Sequence, residues 1–476
     1  MTAPDLEPIR DRLARHRQQH LLAFHDQLSP ARQADLLGQI DSIDLNQIDE
    51  LAKAGLGGET GISIPADIAP AAMLPAVPKD DATARRYDDA RRQGVALIAA
   101  GKVAALIVAG GDGTRLGFSG PKGCLPATPV RHKPLFQVFA EQLLATARRY
   151  GAPAPWYVMT SLANDAATRA CFAQHNCFGL PARDVFFFTQ GRMPAIGLDG
   201  RILLADKDRI AFNPDGHGGA LTALRRSGAL DDMARRGIEF ISYFQVDNPL
   251  VQCVDPLFIG LHAQAAADMS AKALPKRHPL EKLGNFCVIN GKVTVIEYSD
   301  LPEALARATR PDGTLLFTAG SIAIHVFARA FVERLTGGGD FSLPFHRARK
   351  KVQCVDPETG QSVQPAAPNA VKFERFVFDA LPLARNAVIL ETRRSEEFSP
   401  VKNASGEDSL ATSLRDQAQR AAEWLERAGQ QAPRDAQRNV ASAIEISPLC
   451  ALDADELRAR LSGKLTITPG QELYLG

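Results

Sequence analysis

Several polar and charged residues of this 476-residue chain stand in strings that suit phosphate binding. The densest string is glycine-rich. Gly110, Gly111 and Gly113 lack a Cβ, so the backbone can turn sharply and bring amide N–H groups close to an anion. Arg115 and Lys122 follow at a spacing that allows one curled loop to place a guanidinium fork and an ammonium group on a polyphosphate. The string predicts local binding of a phosphorylated ligand.

Two common phosphate-binding signatures do not fit this string. A P-loop ends in Gly-Lys-Ser/Thr, and a dinucleotide-binding fingerprint would require a glycine at the position of Leu116. The second mismatch argues against a dinucleotide-dependent oxidoreductase. A glycine turn without a ligand remains an alternative for the glycines alone. The cations favour an enzyme over a regulatory module that only binds nucleotide, the non-enzyme alternative.

Further candidates follow predicted strand ends, where the ligand-binding loops of α/β proteins lie. The segment that begins at Gln190 is by itself a turn. Gly216 and His217 lead into a predicted helix, so their segment either holds a base or a phosphate or makes a tight connection without a ligand. Asp247 ends a strand and either binds Mg²⁺ or caps the next turn. Lys402 lies in a predicted loop.

The elements that carry these residues alternate between strand and helix. An apolar run at 104–108 predicts a buried strand, 134–149 a helix and 156–160 a second strand, which together imply a right-handed parallel unit. The alternation continues to a strand at 240–246. This order predicts an α/β fold built on an open, doubly wound sheet.

Local patterns predict the flanking regions. The turn Asn290-Gly291 between two apolar runs predicts a hairpin that carries Glu297 and Tyr298 to its far end. Helical spacing predicts two or three amphipathic helices in residues 1–55, and one helix at 409–427 precedes a short β-rich end at 465–475. The basic segment 272–279 is predicted to be a solvated face.

Length and composition limit the remaining possibilities. A chain of 476 residues predicts more than one domain. We predict a helical region at 1–95, an α/β catalytic domain at 96–402 and a small α+β domain at 403–476. A formal charge of +1 argues against a nucleic-acid partner, and no apolar run is long enough for a membrane span.

The cysteines predict a reducing, cytoplasmic compartment. Seven cysteines are scattered without the pattern of a disulfide framework, and the first residues do not resemble a secretory signal. Cys171, His175 and Cys177 do not have the spacing of a zinc knuckle, so we interpret them as ordinary thiols and an imidazole.

The glycine-rich string, Gly-Gly-x-Gly-Thr-Arg-Leu-Gly followed by Pro-Lys, closely resembles the signature loop of nucleotide-sugar pyrophosphorylases. With the later segments, residues 100–403 and more weakly 445–449 resemble the eukaryotic-type UDP-sugar pyrophosphorylases (UDPGP type 1), and most of all their N-acetylhexosamine branch. The resemblance implies a Rossmann-like mixed sheet of the nucleotide-diphospho-sugar transferase (GT-A-like) type. It also implies that UTP and a sugar 1-phosphate react with Mg²⁺ to give UDP-sugar and pyrophosphate.

The resemblance also implies roles for individual residues. Arg115 and Lys122 would face the phosphates of UTP, Lys402 would contact the phosphate of the sugar, and Asp247 would bind Mg²⁺. The implied nucleotide-binding residues are Gly110, Gly111, Gln190, Gly216 and His217, and the implied sugar-binding residues are Glu297, Tyr298, Ser321 and Phe376.

Two positions depart from the N-acetylhexosamine branch. Members of that branch carry Asn in place of His217 and of Ser321, and a histidine at the first position resembles the glucose branch. We therefore expect N-acetylglucosamine 1-phosphate as the sugar substrate, with glucose 1-phosphate as the alternative. The attacking oxygen belongs to a phosphate that is already ionised, so positioning and charge neutralisation must supply most of the catalysis.

Overall fold

The structure is a computed structural model that describes residues 6–53, 65, 67–338, 341 and 343–476. The chain forms two compact units. The smaller unit consists of Met1–Ile62, Gln190–Gly219 and Leu343–Val377, and the larger unit consists of Ser63–Thr189, Ala220–Ser342 and Phe378–Gly476. The chain thus passes between the units several times, and each unit is described separately below.

The α-helices in the described residues are α1 Glu7–Arg15, α2 Pro30–Asp41, α3 Leu45–Lys53, α4 Asp81–Ala99, α5 Leu135–Tyr150, α6 Asp165–Gln174, α7 Ala220–Arg226, α8 Ala229–Arg235, α9 Pro256–Gln264, α10 Glu303–Ala306, α11 Arg329–Thr336, α12 Arg394–Glu397, α13 Leu410–Arg427 and α14 Ala454–Arg460.

The β-strands in the same residues are β1 Ala69–Pro70, β2 Val103–Val108, β3 Trp156–Thr160, β4 Val185–Thr189, β5 Arg192–Pro194, β6 Ile196–Gly197, β7 Leu204–Asp206, β8 Arg209–Ile210, β9 Phe212–Pro214, β10 Phe240–Gln245, β11 Met269–Pro275, β12 Gly284–Ile289, β13 Lys292–Ile296, β14 Ala319–Ala328, β15 Phe345–Lys350, β16 Cys354–Val355, β17 Ser362–Val363, β18 Ala370–Arg375, β19 Ile389–Glu391, β20 Ala443–Ile446 and β21 Glu472–Leu475.

A mixed sheet forms the centre of the larger unit. Its strand order is β1-β12-β14-β10-β2-β3-β4, and β11, β13 and β19 pair outside this path. Strands β10, β2, β3 and β4 run parallel, whereas β14 is antiparallel to β10, β11 and β12. The central strand β2 is buried because Val103 to Ile107 are all apolar and at most 1% exposed. This sheet confirms the predicted α/β fold class.

The elements around the predicted loops also match the sequence patterns. Helix α5 ends where Gly151 takes φ = 81°, a left-handed conformation that favours glycine. Strands β12 and β13 form the predicted hairpin, and its turn residues Asn290 and Gly291 have φ of 50° and 72°, as a two-residue turn of this kind requires.

The basic segment 272–279 differs from its prediction. Lys272 is 2% exposed and Lys276 is 7% exposed, so the side chains of these two residues do not form a solvated face. Lys272 Nζ lies 2.7 Å from Asp255 Oδ2 and 2.5 Å from Glu397 Oε1. The prediction was wrong because both carboxylates lie far from the lysine in sequence, and a local charge pattern does not reveal such partners.

In the smaller unit, the N-terminal helices share one apolar core with short strands. Buried residues of this core include Leu13, Leu36, Ile40, Ile196 and Phe373. The predicted amphipathic helices are confirmed as α1, α2 and α3, while residues 1–5 and 54–55 of that prediction lie outside the described residues. The strands form three small sheets, β15-β18-β6, β17-β16-β7-β8 and β5-β9.

The last part of the larger unit contains its own apolar cluster. Trp424, Leu425, Ile444 and Leu457 are buried in it. Helix α13 matches the predicted helix, and in the predicted β-rich end only the last four residues form a strand, β21, parallel to β20. The compact units differ from the predicted regions 1–95, 96–402 and 403–476, and that three-part division stays a prediction about folding domains.

Two glycines allow helices α4 and α9 to pack closely. A Cβ at Gly94 would lie 1.8 Å from the Pro256 carbonyl oxygen, and a Cβ at Gly260 would lie 1.7 Å from the Ala90 carbonyl oxygen. Both distances are far shorter than a van der Waals contact with backbone, so alanine at either position must force the helices apart.

We expect Gly94→Ala to lower the free energy of unfolding by about 1–3 kcal/mol, because overpacking displaces backbone. The control is Gly38→Ala in helix α2, where a Cβ would meet no atom within 4 Å. That variant should gain about 0.5–1 kcal/mol from helix propensity. Urea denaturation measures both, and an unchanged midpoint for Gly94→Ala would contradict the packing argument.

Candidate active site

The glycine-rich loop between β2 and α5 is held by its own backbone. Gly113 N donates to Gly120 O at 2.8 Å, and Lys122 N donates to Gly111 O at 3.1 Å. Arg115 lies on a 3₁₀ helix, Thr114–Leu116, and is exposed to solvent, whereas Lys122 begins a second 3₁₀ helix and is half-buried. One closed loop therefore carries both predicted phosphate-binding cations.

Asn164 anchors this loop to the segment after β3. Its side chain is 2% exposed, and Nδ2 donates to Ala109 O at 3.0 Å and to Gly111 O at 3.3 Å. Its Oδ1 accepts from Ser161 N at 2.8 Å. Sequence analysis missed Asn164 because the loop carbonyls that it binds lie more than fifty positions away and no local pattern points to them.

The glycines of the loop differ in the atoms that a Cβ would meet. A Cβ at Gly113 would lie 2.7 Å from the Phe118 ring, so the protein itself requires glycine there. A Cβ at Gly111 would meet no protein atom within 4 Å, and Gly111 is not among the residues with positive φ. The absence of a side chain at Gly111 therefore leaves open space beside the loop, as a closely bound ligand needs.

The carboxyl end of β10 is joined to the loop that carries Lys402. Val401 N donates to Asp247 O at 2.8 Å, so the residues before Lys402 run beside the predicted metal ligand. Lys402 Nζ lies 4.0 Å from Asp408 Oδ2 and 5.5 Å from the centre of the Phe398 ring. The larger unit thus places Asp247 and Lys402 on segments that touch each other.

Asp408 is a charged residue of this region that sequence analysis missed. Partial burial raises the pKa of its carboxyl above the usual range, Glu407 and Asp247 act in the same direction, and Lys402 opposes them. Its backbone oxygen accepts from Lys402 N at 2.6 Å, and Asp408 takes φ = 54°. This left-handed backbone conformation at a non-glycine residue, tolerated best by Asp and Asn, bends the loop back onto Lys402.

The predicted sugar-binding residues of the larger unit surround Gly284 in part. A Cβ at Gly284 would lie 3.2 Å from Glu297 Oε1 and 3.7 Å from Ser321 Cβ, so the carboxylate and the hydroxyl side chain lie against the same glycine. Strands β12 and β14 pair here, with Gly284 opposite Ser321. Tyr298 follows Glu297 and is 46% exposed. Gly284 itself was not predicted.

In the smaller unit, the carboxylate of Asp215 lies between two glycine segments. A Cβ at Gly191 would lie 2.4 Å from Asp215 Oδ2, and a Cβ at Gly219 would lie 2.3 Å from Oδ1. Arg375 Nη1 lies 3.6 Å from Asp215 Oδ2, and Arg375 N donates to the backbone oxygen of Asp215 at 2.8 Å. Gln190 precedes Gly191 and Gly216 follows Asp215. The contacts of the Asp215 carboxylate therefore hold the segments of both residues together.

His217 and Phe376 are stacked in the same unit. Their ring centroids are 5.3 Å apart at 17°, and His346 stacks on Phe376 at 4.2 Å. His217 Nδ1 accepts from Val377 N at 3.2 Å, which assigns the ring proton to Nε2. Burial, together with His346, lowers the pKa of His217 to about 4, so the imidazole is neutral at pH 7 and Nε2 carries a donor.

The predicted site residues are divided between the two units. The larger unit contains Gly110, Gly111, Arg115, Lys122, Asp247, Glu297, Tyr298, Ser321 and Lys402, and the smaller unit contains Gln190, Gly216, His217 and Phe376.

The donor set near Asp247 is compatible with Mg²⁺. Mg²⁺ needs only one or two carboxylates when substrate phosphates supply further oxygens, and the carboxylates of Asp247 and Asp408 interact electrostatically. Among the described residues, no group of three or more histidine, cysteine, aspartate or glutamate side chains is arranged to hold a metal. An ion held by Asp247 would have positions left for substrate oxygens and water.

The comparison with known families identifies the class of enzyme as a nucleotidyltransferase. The chain belongs to the UDPGP family, because the family model described as UTP–glucose-1-phosphate uridylyltransferase matches residues 72–425. The predicted family and the predicted class of enzyme, a UDP-sugar pyrophosphorylase, are confirmed.

Individual relatives cover most of the chain. UDP-N-acetylhexosamine pyrophosphorylase-like protein 1 of Xenopus tropicalis is 37% identical over 441 residues, 90% of this chain and 86% of the relative. UDP-N-acetylglucosamine pyrophosphorylase of Saccharomyces cerevisiae is 35% identical over 428 residues, 88% of this chain and 87% of the relative. The crystal structure of the uridine diphosphate N-acetylglucosamine pyrophosphorylase from Trypanosoma brucei in complex with inhibitor has a TM-score of 0.79 at 26% identity, covering 96% of this chain and 95% of that one.

We expect Gly111→Ala to weaken UTP binding about tenfold without lowering the thermal unfolding midpoint, since the new methyl group meets no protein atom and would meet a nucleotide bound at this loop. The matched variant is Gly113→Ala, which must displace Phe118 and should lower the midpoint. Isothermal titration with UTP and thermal denaturation separate the two effects. Unchanged UTP affinity in Gly111→Ala would remove Gly111 from the nucleotide site.

We expect the His217 ring to stay neutral from about pH 5.5 to pH 8, whereas an unperturbed histidine titrates near 6.5. NMR of protein labelled with ¹³C-histidine, with His217→Gln to assign the signal, measures this directly. The unfolded chain takes up this proton near pH 6.5 and the folded chain only near pH 4, so His217 should also lower stability as the pH falls through that window. A midpoint near 6.5 would show that the ring is solvated.

Proposed function

We propose that this enzyme joins UTP to N-acetylglucosamine 1-phosphate and releases pyrophosphate. The observation that carries the sugar assignment is the arrangement around Gly284, where the Glu297 carboxylate can accept from sugar hydroxyls and Ser321 contributes only a small side chain. The names of the relatives, which refer to N-acetylhexosamine or N-acetylglucosamine, support the same sugar.

The reaction needs charge neutralisation more than proton transfer. An oxygen of the sugar phosphate attacks the α-phosphorus of UTP in line, the bond from that phosphorus to the bridging oxygen of the β-phosphate breaks, and pyrophosphate leaves with the electron pair. The attacking phosphate is already ionised at pH 7, so no general base is required. Arg115 and Lys122 would hold the phosphates of UTP, and Lys402 would hold the phosphate of the sugar.

The metal would add to the same neutralisation. Asp247 would hold Mg²⁺, which when bound supplies positive charge to the phosphate oxygens. The carboxylate of Asp408 interacts electrostatically with both Asp247 and Lys402. Among the residues with proposed roles, the chain's own cations in this chemistry are Arg115, Lys122 and Lys402.

The remaining roles concern recognition of the base and the sugar. In the larger unit, Gly110 and Gly111 would bind uridine, and Glu297 and Tyr298 would bind sugar hydroxyls. In the smaller unit, Gln190 and Gly216 would bind uridine, and Phe376 would pack against a sugar.

The substitution at His217 is compatible with an acetamido sugar. The N-acetylhexosamine branch has asparagine at this position, and an asparagine offers an amide N–H donor. A neutral His217 with its proton on Nε2 offers a ring N–H donor instead, and the contact of Nδ1 with Val377 N supports that tautomer. A side-chain N–H donor is thus present at position 217 whether the residue is asparagine or a neutral histidine.

The cysteines and the net charge suit a cytoplasmic enzyme that acts on small molecules. All seven cysteines are free thiols, which supports a reducing compartment. No helix in the described residues has the length and apolar character needed to cross a membrane. With a net charge of +1, we propose UTP and the sugar 1-phosphate as partners and no nucleic acid.

Pyrophosphate release with UTP and Mg²⁺ tests the proposal. We expect kcat/KM for N-acetylglucosamine 1-phosphate to exceed that for glucose 1-phosphate and N-acetylgalactosamine 1-phosphate. Release should fall on the order of a hundredfold in Lys402→Ala, which controls for contaminating activity. Preference for glucose 1-phosphate would move the enzyme to the other branch, as a histidine at position 217 suggests. No release with any sugar would overturn the catalytic proposal.

A further inference from the structure

The side chain of Asn248 ties the end of β10 to the segment that leads to Lys402. Asn248 follows Asp247 directly and is 4% exposed. Its Nδ2 donates to Glu397 O at 2.7 Å, and its Oδ1 accepts from Ser399 N at 3.1 Å and from Leu250 N at 3.3 Å. One buried amide therefore bonds to backbone groups on both sides of Phe398, some 150 positions away in sequence.

The segment that Asn248 holds is itself anchored from the other side. The Glu397 carboxylate lies 2.5 and 2.6 Å from Lys272 Nζ, and the side chain of this lysine is 2% exposed. Ser399 donates its hydroxyl to Asp416 Oδ2 at 2.8 Å, and its backbone oxygen accepts from Ser413 Oγ at 2.9 Å. The backbone at 397–399 is thus a fixed frame, and Asn248 connects the turn after β10 to that frame.

We propose that Asn248 is a positioning residue that sets the separation between the Asp247 carboxylate and the Lys402 ammonium group. This inference rests on the roles proposed above for those two residues. Asn248 would act by holding two backbone segments together. These segments are also joined by the hydrogen bond from Val401 N to Asp247 O. The Asn248 side chain bonds to Ser399 N, three residues before Lys402.

The proposed role predicts which step depends on Asn248. UTP binding draws on the glycine-rich loop, which Asn248 does not hold, whereas the chemical step needs the metal and the lysine at their correct separation. A displacement of about 1 Å at a reacting centre can cost about a hundredfold in rate. Loss of Asn248 should therefore lower kcat and leave UTP affinity in the absence of Mg²⁺ almost unchanged.

The test combines single variants with a double-mutant cycle. Asn248→Ala should lower kcat about ten- to hundredfold, while the dissociation constant for UTP measured without Mg²⁺ stays within about threefold, because that measurement leaves out the contribution of Asp247. Asn248→Ser, which keeps a polar group in the buried position but cannot reach both segments, should behave in the same way and serves if the alanine variant does not fold. Pyrophosphate release, titration calorimetry and thermal denaturation supply the three readouts.

Coupling to Lys402 separates positioning from general destabilisation. In the Lys402→Ala background, the further loss from Asn248→Ala should shrink to about threefold or less, because the lysine that Asn248 positions is gone. Ser270→Ala is the matched control: Ser270 is fully buried and bonds to His262 Nδ1 at 2.8 Å, so it should lower the unfolding midpoint without changing kcat.

The outcomes are distinct. Multiplicative losses in the double variant, an unchanged kcat in Asn248→Ala, or a loss of UTP affinity as large as the loss in kcat would each overturn the positioning role. If Lys402→Ala alone keeps full turnover, the proposed function of that lysine fails and the inference falls with it. A large loss in Lys402→Ala combined with multiplicative losses leaves the proposed function standing and rejects only Asn248.

Discussion

The segments that carry Asp247 and Lys402 depend on the buried ion pairs of Lys272 with Asp255 and Glu397. Burial alone would lower the pKa of this lysine, but Asp255 and Glu397 more than offset it, so its pKa is raised and the ammonium group stays charged. Asp255 also caps helix α9 by accepting from Leu257 N at 2.9 Å. Removing one member of such a group typically costs about 3–5 kcal/mol because a charge is left buried without its partner. The ion group thus joins β11, α9 and α12 into one framework.

This framework helps to position Lys402 and Asp247. Glu397 directly precedes the segment that ends in Lys402, and the backbone between them is bonded to Ser413 and to Asn248. A catalytic group on a loop can be as well placed as one on a strand when the loop is anchored in this way. The charges that would meet phosphate remain at the surface, while the charges that hold them in place are buried.

The sequence predicted the local features and missed the long-range ones. Strand β2, helix α5 and the hairpin turn at Asn290 depend on periodicity and turn chemistry within a few residues, and they lie where they were predicted. The anchoring roles of Asn164 and Asn248 depend on partners that are more than fifty positions away, and neither residue stands in an unusual local pattern. The same physical reason explains why Lys272 was mistaken for a solvated residue, because its partners Asp255 and Glu397 come from other segments of the chain.

The candidate site also shows how glycines with different constraints can be told apart. Gly191 and Gly219 are required by the carboxylate of Asp215, and Gly113 is required by Phe118, so their presence says nothing about a ligand. A Cβ at Gly111 would meet no protein atom within 4 Å, so the protein leaves that space open, and the ligand proposed for this loop would account for a glycine there. A glycine motif contains glycines that protein packing requires and glycines that leave open space. The spacing of the motif does not distinguish them, because it does not reveal which atoms a Cβ would meet. The signature is informative as a whole since the structural glycines shape the loop and Gly111 leaves space beside it.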